Sequence, residues 1–328
     1  MQALICEAFG PLENLRLGEI PPPALGDDQV RIDVHACGVN FPDVLIVQGL
    51  YQVKPEPPFS PGCEVAGVVA EVADGVGVFR PGDRVLAWLG FGGCAEQAVA
   101  HVGNVHPLPA SMDFATASVL LLTYGTAYHA LVQRAALQVG ESVAVLGAGG
   151  GVGLACVELA KALGARVIAC ASNAEKLAVA REHGADAVVN YSEENLRGAL
   201  KAYTDGKGVD VICDPVGGEL AEPAFRAIAW QGRFLVIGFA AGEIPRLPLN
   251  LALLKGASIV GVFLGEFNKR DPQANRRNIE ALMTLFEAQK ISPLISQTFT
   301  LRDSLTALQV LRNREALGKL VVRVREGA

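Results

Sequence analysis

Five glycines crowd into the stretch Gly147-Ala-Gly-Gly-Gly-Val-Gly153, and their spacing predicts a phosphate-binding turn. The apolar run Val143–Leu146 before it predicts a strand buried on both faces, and Leu154–Leu163 after it predicts a helix. A turn without β-carbons at a helix N-terminus brings backbone N–H groups and the positive end of the helix dipole close to an anion. A second apolar strand, Arg166–Cys170, completes a strand–helix–strand unit typical of dinucleotide-binding proteins. The positions expected to contact the dinucleotide in this turn are Gly149, Gly150, Gly151 and Val152.

The glycine pattern departs from G-x-G-x-x-G at its first position, where Ala148 stands, while Gly150 and Gly153 fill the other two. A glycine-rich turn alone is weak evidence for a nucleotide site. The strand on each side and the helix between them make a dinucleotide site the favoured interpretation.

The end of the second strand indicates which dinucleotide is bound. An NAD-preferring site places an Asp or Glu there to bind the ribose 2′-hydroxyl. This chain has the neutral donors Ser172 and Asn173, with Lys176 one helical turn further on and Glu175 free to point to solvent. Hydroxyl, amide and ammonium donors suit a 2′-phosphate, so the residues favour NADPH over NADH. The alternative is an ordinary helix N-cap followed by a solvated lysine.

Composition limits the classes of protein that the chain can be. Its 328 residues predict two domains, and 51% hydrophobic with 19% charged residues indicate a well-buried globular protein. A net charge of −6 without a basic stripe disfavours nucleic acid as a partner. The N-terminus does not resemble a signal peptide, and no apolar run has the ~20 residues that span a bilayer. The seven scattered cysteines predict reduced thiols in a cytoplasmic protein.

The elements that would position these residues fall into two patterns. Residues 1 to about 118 are β-rich, with turns at Pro61-Gly62 and Pro81-Gly82 and helical periodicity from about 113 and again over 126–136. From Ser142 strands alternate with helices, which predicts an α/β doubly wound parallel sheet. The predicted strands are 143–147, 166–170, 187–189, 209–213, 233–237 and 259–263, with helices near 152–163, 174–183, 193–204 and 219–229. Helices near 275–289 and 303–313 and a closing strand at 319–324 follow.

Several segments together resemble the quinone oxidoreductase (zeta-crystallin-like) branch of the zinc-free medium-chain dehydrogenase/reductase superfamily. They are Val34–Asn40, Pro61-Gly62, Tyr124–Tyr128, Gly147–Gly153, Ile237–Gly242 and Gly318–Val322. The similarity runs nearly end to end. It implies a GroES-like catalytic domain made of residues 1–120 and 266–328, a Rossmann domain over 121–265, and NADPH bound in an extended form.

The same resemblance implies further site residues. Ser172 and Lys176 match positions that hold the 2′-phosphate, and Tyr191 matches one beside the adenosine. The remaining cofactor contacts that it implies are Thr123, Gly238, Phe239, Ala240, Arg314 and Lys319. Tyr191 and Phe239 could instead simply pack, and Arg314 could be a solvated charge at a helix end.

The residues do not match a zinc site. Zinc-dependent relatives carry a cysteine where this chain has Asn40 and a histidine where it has Cys63, beside Glu64. Their cysteine lobe corresponds to residues 88–101, which hold only Cys94, and CxxC spacing is absent there. We therefore expect no bound metal.

Without a Lewis acid, the acceptor of a hydride must delocalise the incoming charge itself, as a quinone or an enone does. By resemblance Asn40 and Tyr51 border the nicotinamide; Tyr51 could donate a hydrogen bond or a proton, and Asp43 orients Asn40 or its loop. Tyr51 could also be an ordinary aromatic plug. Three functions stay open: a quinone oxidoreductase, an enoyl-thioester or alkenal reductase (the loop 46–55 also resembles that of mitochondrial-type enoyl reductases), and a catalytically idle NADPH-binding protein.

The segment Ser258–Leu264 resembles the edge strand through which family members pair their sheets. An apolar edge strand also needs cover on physical grounds. A homodimer through residues 258–264 is therefore predicted.

Overall fold

The computed structural model describes residues 1–325, and the chain divides into two compact units. The β-rich unit comprises Met1–Leu122 with residues 293–325, and the parallel-sheet unit comprises Thr123–Ser292. The boundary after Leu122 lies close to the predicted boundary after residue 120. Residues 266–292, however, group with the parallel-sheet unit rather than with the chain ends. Packing explains the difference, because Ile279 and Leu282 are buried and the side-chain amides of Gln133 and Asn278 bond each other at 2.8 and 3.2 Å.

The strands are β1 (Gln2–Ile5), β2 (Arg16–Glu19), β3 (Gln29–Val39), β4 (Glu64–Val72), β5 (Arg84–Trp88), β6 (Gln97–His101), β7 (Val105–Pro107), β8 (Ser142–Leu146), β9 (Arg166–Ala171), β10 (Ala187–Asn190), β11 (Val209–Asp214), β12 (Ile228–Val236), β13 (Ser258–Gly261), β14 (Ile295–Thr300) and β15 (Lys319–Arg323). The α-helices are α1 (Phe41–Val47), α2 (Phe114–Ala117), α3 (Thr123–Tyr128), α4 (Gly151–Ala162), α5 (Ala174–Glu182), α6 (Leu196–Ala202), α7 (Ala221–Arg226), α8 (Asn250–Lys255), α9 (Leu264–Arg270), α10 (Pro272–Glu287) and α11 (Ser304–Arg312).

The β-rich unit is built on a seven-stranded sheet in the order β14-β15-β3-β4-β5-β7, with β6 paired to β3. The long strand β3 alternates buried and half-buried residues until its last four, which are all buried. Strand β15 pairs antiparallel with that buried end, so that Leu320 lies opposite Val39. Two segments about 280 residues apart in sequence thus meet where β3 runs into α1.

The parallel-sheet unit has six strands in the order β10-β9-β8-β11-β12-β13, and every pairing is parallel. This is the doubly wound sheet that the alternation of strands and helices predicted. Strand β12 begins at Ile228, whereas the prediction placed its start at residue 233. The first residues of the strand differ from a regular strand, because Gln231 adopts a left-handed conformation (φ 57°) and the pairing with β11 shifts register there. The predicted helix over 126–136 is instead α3 followed by a π-helical segment, His129–Arg134, in which Ala135 N–H donates to the Ala130 carbonyl five residues back.

Glu158 forms hydrogen bonds with residues near the first and the last residue of the parallel-sheet unit. Its buried carboxylate accepts hydrogen bonds from the Tyr124 hydroxyl (2.5 Å) near one end and from the Ser292 N–H (3.2 Å) at the other. His183 Nδ1 lies 2.5 Å away on the same carboxylate. Within residues 1–325 no helix is long and apolar enough to cross a membrane.

Candidate cofactor and active site

The glycine turn lies between β8 and α4, at the carboxyl edge of the parallel sheet. Gly147 has a positive φ (61°), and α4 begins at Gly151 with Gly150 as its N-cap. A β-carbon on Gly153 would lie 2.1 Å from the Gly147 carbonyl oxygen, so this glycine lets helix and turn pack together. Ala148 is tolerated at the first fingerprint position because the left-handed conformation falls on Gly147, one residue earlier.

The predicted 2′-phosphate residues lie beside this turn. A β-carbon on Gly149 would come within 2.6 Å of Lys176 Cβ, so the lysine stem packs directly on the turn. Asn173 Oδ1 accepts from Lys176 N–H at 2.9 Å, which makes Asn173 the N-cap of α5, as the alternative interpretation proposed. Ser172 precedes it, partly exposed, just after the end of β9.

The predicted nicotinamide segment, Gly238–Ala240, follows β12 at the same edge of the sheet. The N–H groups of Gly238 and Ala240 donate to the carbonyls of Asp214 (3.3 Å) and Pro215 (3.1 Å), and the Phe239 ring packs on Gly217. Thr123 is buried at the start of α3. These contacts hold the segment against the turn that follows β11.

Asp214, which the motifs did not single out, organises that turn. Its Oδ1 accepts from the N–H groups of Val216 (2.9 Å) and Gly217 (2.8 Å). Burial raises the pKa of this carboxyl group, and the two N–H donors oppose that effect. The sequence does contain a signal for this residue, because Asp214 ends an apolar strand and is followed by Pro215 and two glycines, a pattern typical of a turn.

Tyr191 follows β10, and its N–H donates to the Ala171 carbonyl at 3.1 Å, which places it next to the end of β9. It also lines a cavity of about 680 Å³ with Gly218 and Glu243. A recognition position for adenosine is expected at this edge of the sheet. Arg314 lies in the β-rich unit, after α11, in a left-handed conformation (φ 62°).

In the β-rich unit a buried polar cluster gathers Asn40, Glu64 and Lys319. The Asn40 amide donates to the Gly38 carbonyl (3.1 Å) and to Glu64 Oε1 (2.9 Å), and its Oδ1 accepts from Lys319 Nζ. The ammonium also reaches Glu64 Oε1 at 3.3 Å, and Glu64 Oε2 accepts from Leu122 N–H. Lys319, predicted as a cofactor contact, is placed here as the counter-charge of Glu64, and its role at the cofactor stays a prediction.

Asp43 ties this cluster to the neighbouring turn. One carboxylate oxygen accepts from Asn40 N–H (2.8 Å), and the other accepts from Gly62 N–H (3.2 Å) and the Cys63 thiol (2.7 Å). Burial raises the pKa of Asp43 to about 6, although these donors and the Lys319 charge lower it. The contacts are those of a residue that positions Asn40 and the Gly62–Cys63 turn.

The raised pKa of Asp43 predicts a stability change with pH. The folded protein holds this proton up to about pH 6, and the unfolded chain only to about 3.8, so raising the pH across that interval lowers stability. The gap corresponds to about 3 kcal/mol at ~1.4 kcal/mol for each pH unit. Urea unfolding at pH 4 and pH 7 should show Asp43→Asn losing this part of the pH dependence. An unchanged slope in the variant would contradict the assignment.

Tyr51 lies on the loop after α1, half-buried against the core of the β-rich unit. Burial raises the pKa of its phenol to about 12, and the nearby Cys63 and Asp43 groups add to the shift. The phenol is therefore protonated at neutral pH and available as a donor. Among residues 1–325 its hydroxyl has no hydrogen-bond partner.

Asn40 and Cys63, which stand at the positions of zinc ligands in zinc-dependent relatives, do not fit a zinc ion. Asn40 is an amide bonded to Lys319 and Glu64, and an ammonium beside that carboxylate supplies the positive charge that a metal would bring. The Cys63 thiol donates to Asp43, and the Cys37 and Cys94 sulfurs lie 3.8 Å apart. Within the described residues no three His, Cys, Asp or Glu side chains are arranged to hold a metal.

A parallel sheet with a glycine turn at its carboxyl edge is the fold of a dinucleotide-binding protein. The family models that match are "Zinc-binding dehydrogenase" over residues 151–283 and "Alcohol dehydrogenase GroES-like domain" over residues 26–110. A quinone oxidoreductase-like protein 2 homolog of Nematostella vectensis is 42% identical over 92% of this chain and 83% of the relative. The quinone oxidoreductase of Homo sapiens is 34% identical over 98% and 97% of the two chains.

Solved structures are similar over the whole chain. The Escherichia coli quinone oxidoreductase complexed with NADPH has a TM-score of 0.91 at 27% identity, covering 99% of this chain and 100% of that one. A mycobacterial protein complexed with NADPH has a TM-score of 0.93 at 29% identity, with coverage of 99% and 100%. This chain belongs to the quinone oxidoreductase branch of the medium-chain dehydrogenase/reductase superfamily. The resemblance and the fold class inferred from the sequence are thereby confirmed.

Proposed function

We propose that this protein uses NADPH to reduce quinones or other conjugated carbonyl compounds without a metal ion. The observation that carries the proposal is the glycine turn at the N-terminus of α4, with the Lys176 stem packed on Gly149. Two structural neighbours with this fold are NADPH complexes. When bound, NADPH supplies a hydride, which together with one proton reduces a quinone to its hydroquinone, so that both carbonyls become hydroxyls.

The preference for NADPH rests on the residues after β9. Ser172 and Lys176 offer a hydroxyl and an ammonium to a 2′-phosphate, and the position right after the strand carries no carboxylate. Asn173 caps α5 through Oδ1, which leaves its amide nitrogen as a further donor. NADPH should therefore bind more tightly than NADH.

The acceptor must be conjugated because the charge that develops on its oxygen meets hydrogen-bond donors rather than a metal. Both amide hydrogens of Asn40 are engaged by Gly38 and Glu64, so Asn40 is better suited to shape the site than to donate to substrate. Tyr51 is the better candidate, since its phenol is protonated and its hydroxyl has no partner within residues 1–325. Asp43 positions Asn40 and takes no proton from substrate in this proposal.

A second candidate function is reduction of the C=C bond of an enoyl thioester or an alkenal. The Tyr51 phenol favours it, because this reaction needs a proton at carbon after the hydride arrives. A carbanion stabilised as an enolate is basic enough to take that proton even from a phenol whose pKa burial raises to about 12. Quinone reduction places its protons on oxygen, where solvent can supply them. The two functions therefore differ in how much they depend on Tyr51.

The test measures oxidation of NADPH and NADH with 1,4-benzoquinone, a crotonyl thioester and an enal in parallel. We expect turnover with the quinone and a preference for NADPH. Tyr51→Phe should lower kcat for the thioester by about 10²-fold, in the range of a lost general acid, and for the quinone by less. Equal losses would contradict proton donation by Tyr51. No turnover with any acceptor would instead support an idle NADPH-binding protein.

We also propose that the chain forms a homodimer through residues 258–264. Strand β13 is the edge of the parallel sheet, and Ile259 and Phe263 are 39% and 50% exposed. Nearby in sequence, Leu249, Leu253 and Leu254 of the α8 region are also exposed. An uncovered apolar edge of this kind favours association.

Light scattering after size exclusion should give twice the mass of one chain. Ile259→Lys, which places a charge on the edge strand, should shift the protein toward monomer. A monomeric wild-type protein would refute the dimer.

A further inference from the structure

Glu158 is a buried residue that none of the predicted site positions includes. It lies within α4 and is 5% exposed. Both of its carboxylate oxygens accept from the Ser292 N–H at 3.2 Å, Oε2 also accepts from the Tyr124 hydroxyl at 2.5 Å, and His183 Nδ1 lies 2.5 Å from Oε1. Burial and the neighbouring Glu158 charge raise the pKa of the Tyr124 phenol, which therefore stays a donor. A buried carboxyl group is costly unless hydrogen bonds satisfy it, so these contacts hold four segments of the chain together.

The helices that meet at Glu158 are the ones that carry predicted cofactor contacts. Helix α4 begins in the glycine turn, where we expect the pyrophosphate. Tyr124 follows Thr123, a predicted nicotinamide contact at the start of α3. His183 is the C-cap of α5, and the first turn of this helix carries Lys176, a predicted 2′-phosphate contact. One carboxylate therefore joins the supports of both ends of the cofactor and of its middle.

Glu158 is nevertheless remote from these predicted contacts. It follows the first residue of α4, Gly151, by two helical turns, which is about 10 Å along the axis. His183 stands at the opposite end of α5 from Lys176. Because a hydrogen-bonded helix is stiff, fixing one end of α5 fixes the direction of the other end. The arrangement suits a residue that acts on a ligand through its neighbours rather than by contact.

We propose that Glu158 is a positioning residue for NADPH, because it holds α3, α4 and α5 in the arrangement in which both halves of the dinucleotide bind at once. This inference rests on the proposed function and adds a residue to its cofactor site. NADPH is a bivalent ligand: once the 2′-phosphate half is bound, the nicotinamide half binds in an intramolecular step. The gain in affinity from that step depends on how well the two subsites are aligned. A loosened α3 or α5 lowers the gain without changing either subsite.

The test compares the dissociation constant (Kd) of NADPH with that of 2′,5′-ADP, which contains the adenosine half and lacks the nicotinamide half. Glu158→Leu removes all three contacts and should raise the Kd of NADPH by about 20-fold, within the usual range of coupling between sites. The Kd of 2′,5′-ADP should rise by less than about twofold, since a half ligand needs no alignment. Tyr124→Phe removes one hydroxyl and should raise the Kd of NADPH alone, by about fivefold. Isothermal titration calorimetry measures both ligands.

Glu158→Gln is the conservative variant. Its side-chain oxygen can accept from the Tyr124 hydroxyl and the Ser292 N–H, and its amide can donate to Nδ1 of a neutral His183 ring. We therefore expect the Kd of NADPH to lie within about twofold of the wild-type value. Such a rescue shows that the hydrogen bonds, rather than the negative charge, align the helices.

Glu141→Leu is the control for a general loss of stability. It removes a half-buried carboxylate of the same unit, which pairs with Arg233 at 2.6 Å just before β8 begins. The glycine turn follows the other end of β8, so the Kd of both ligands should stay unchanged while the free energy of unfolding falls.

The outcomes separate this inference from the proposed function. If Glu158→Leu and Tyr124→Phe weaken NADPH and 2′,5′-ADP by the same factor, or if Glu141→Leu weakens NADPH as much as they do, Glu158 does not align the two halves although the function stands. If Glu158→Leu does not fold, Tyr124→Phe decides by the same comparison. If wild-type protein binds neither ligand, the proposed function fails and the positioning role fails with it.

Discussion

Replacing Gly153 by alanine is expected to lower the free energy of unfolding by about 3 kcal/mol and to abolish measurable NADPH binding. The added β-carbon would lie 2.1 Å from the Gly147 carbonyl oxygen, 2.8 Å from its carbon and 2.9 Å from Ala148 Cα. All three are backbone atoms, which cannot rotate away as a side chain could. Helix α4 must therefore move off the turn, and the N–H groups that we predict to bind phosphate move with it.

Gly150→Ala is the matched variant for this experiment. Its nearest neighbour, the Gly147 carbonyl oxygen, would lie 3.5 Å from the new β-carbon, and its φ of −88° suits any residue. The free energy of unfolding should stay within about 1 kcal/mol of wild type, while NADPH binding weakens because this glycine is predicted to contact the pyrophosphate. Urea unfolding and a fluorescence titration with NADPH measure the two quantities. A wild-type unfolding curve for Gly153→Ala would show that the turn is not packed as described.

Most of the fold could be predicted from local sequence patterns. The six parallel strands were predicted because each is a short apolar run between turn residues, a signal that lies within the segment itself. The start of β12 was missed because the left-handed Gln231 interrupts its pattern, and the π-helical residues 129–134 look helical in sequence. The grouping of residues 266–292 depended on tertiary packing of α10, which periodicity does not report.

The same distinction applies to the candidate site. Gly149 and Lys176 are 27 residues apart and are joined by one helix and one strand, so that predicting these two elements brings the lysine to the glycine turn. The Asn40–Glu64–Lys319 cluster joins positions up to 279 residues apart, and its signal in the sequence is only a polar residue at one end of each apolar strand.

Lys319→Met is expected to lower the free energy of unfolding by about 3–5 kcal/mol, the usual cost of removing one partner of a buried ion pair. Lys319 and Glu64 are both buried, and the ammonium lies 3.3 Å from Glu64 Oε1. Methionine keeps most of the stem and removes the charge, so the loss reports an uncompensated carboxylate rather than a cavity. Asn40 loses the donor to its Oδ1 in the same step.

Two further variants distinguish this explanation from a general effect of losing a cation. Arg312→Met removes the cation of an exposed pair, Arg312–Glu13 at 2.7 Å in the same unit, and should cost much less stability than Lys319→Met because solvent screens the pair. Glu64→Gln combined with Lys319→Met removes the buried charge as well and should recover at least half of the loss, because the amide still donates and accepts hydrogen bonds. Urea unfolding of the four proteins at pH 7 gives the comparison. If Lys319→Met costs no more than Arg312→Met, or if the double variant is the least stable of all, the lysine is not the counter-charge that holds Glu64 and Asn40 in place.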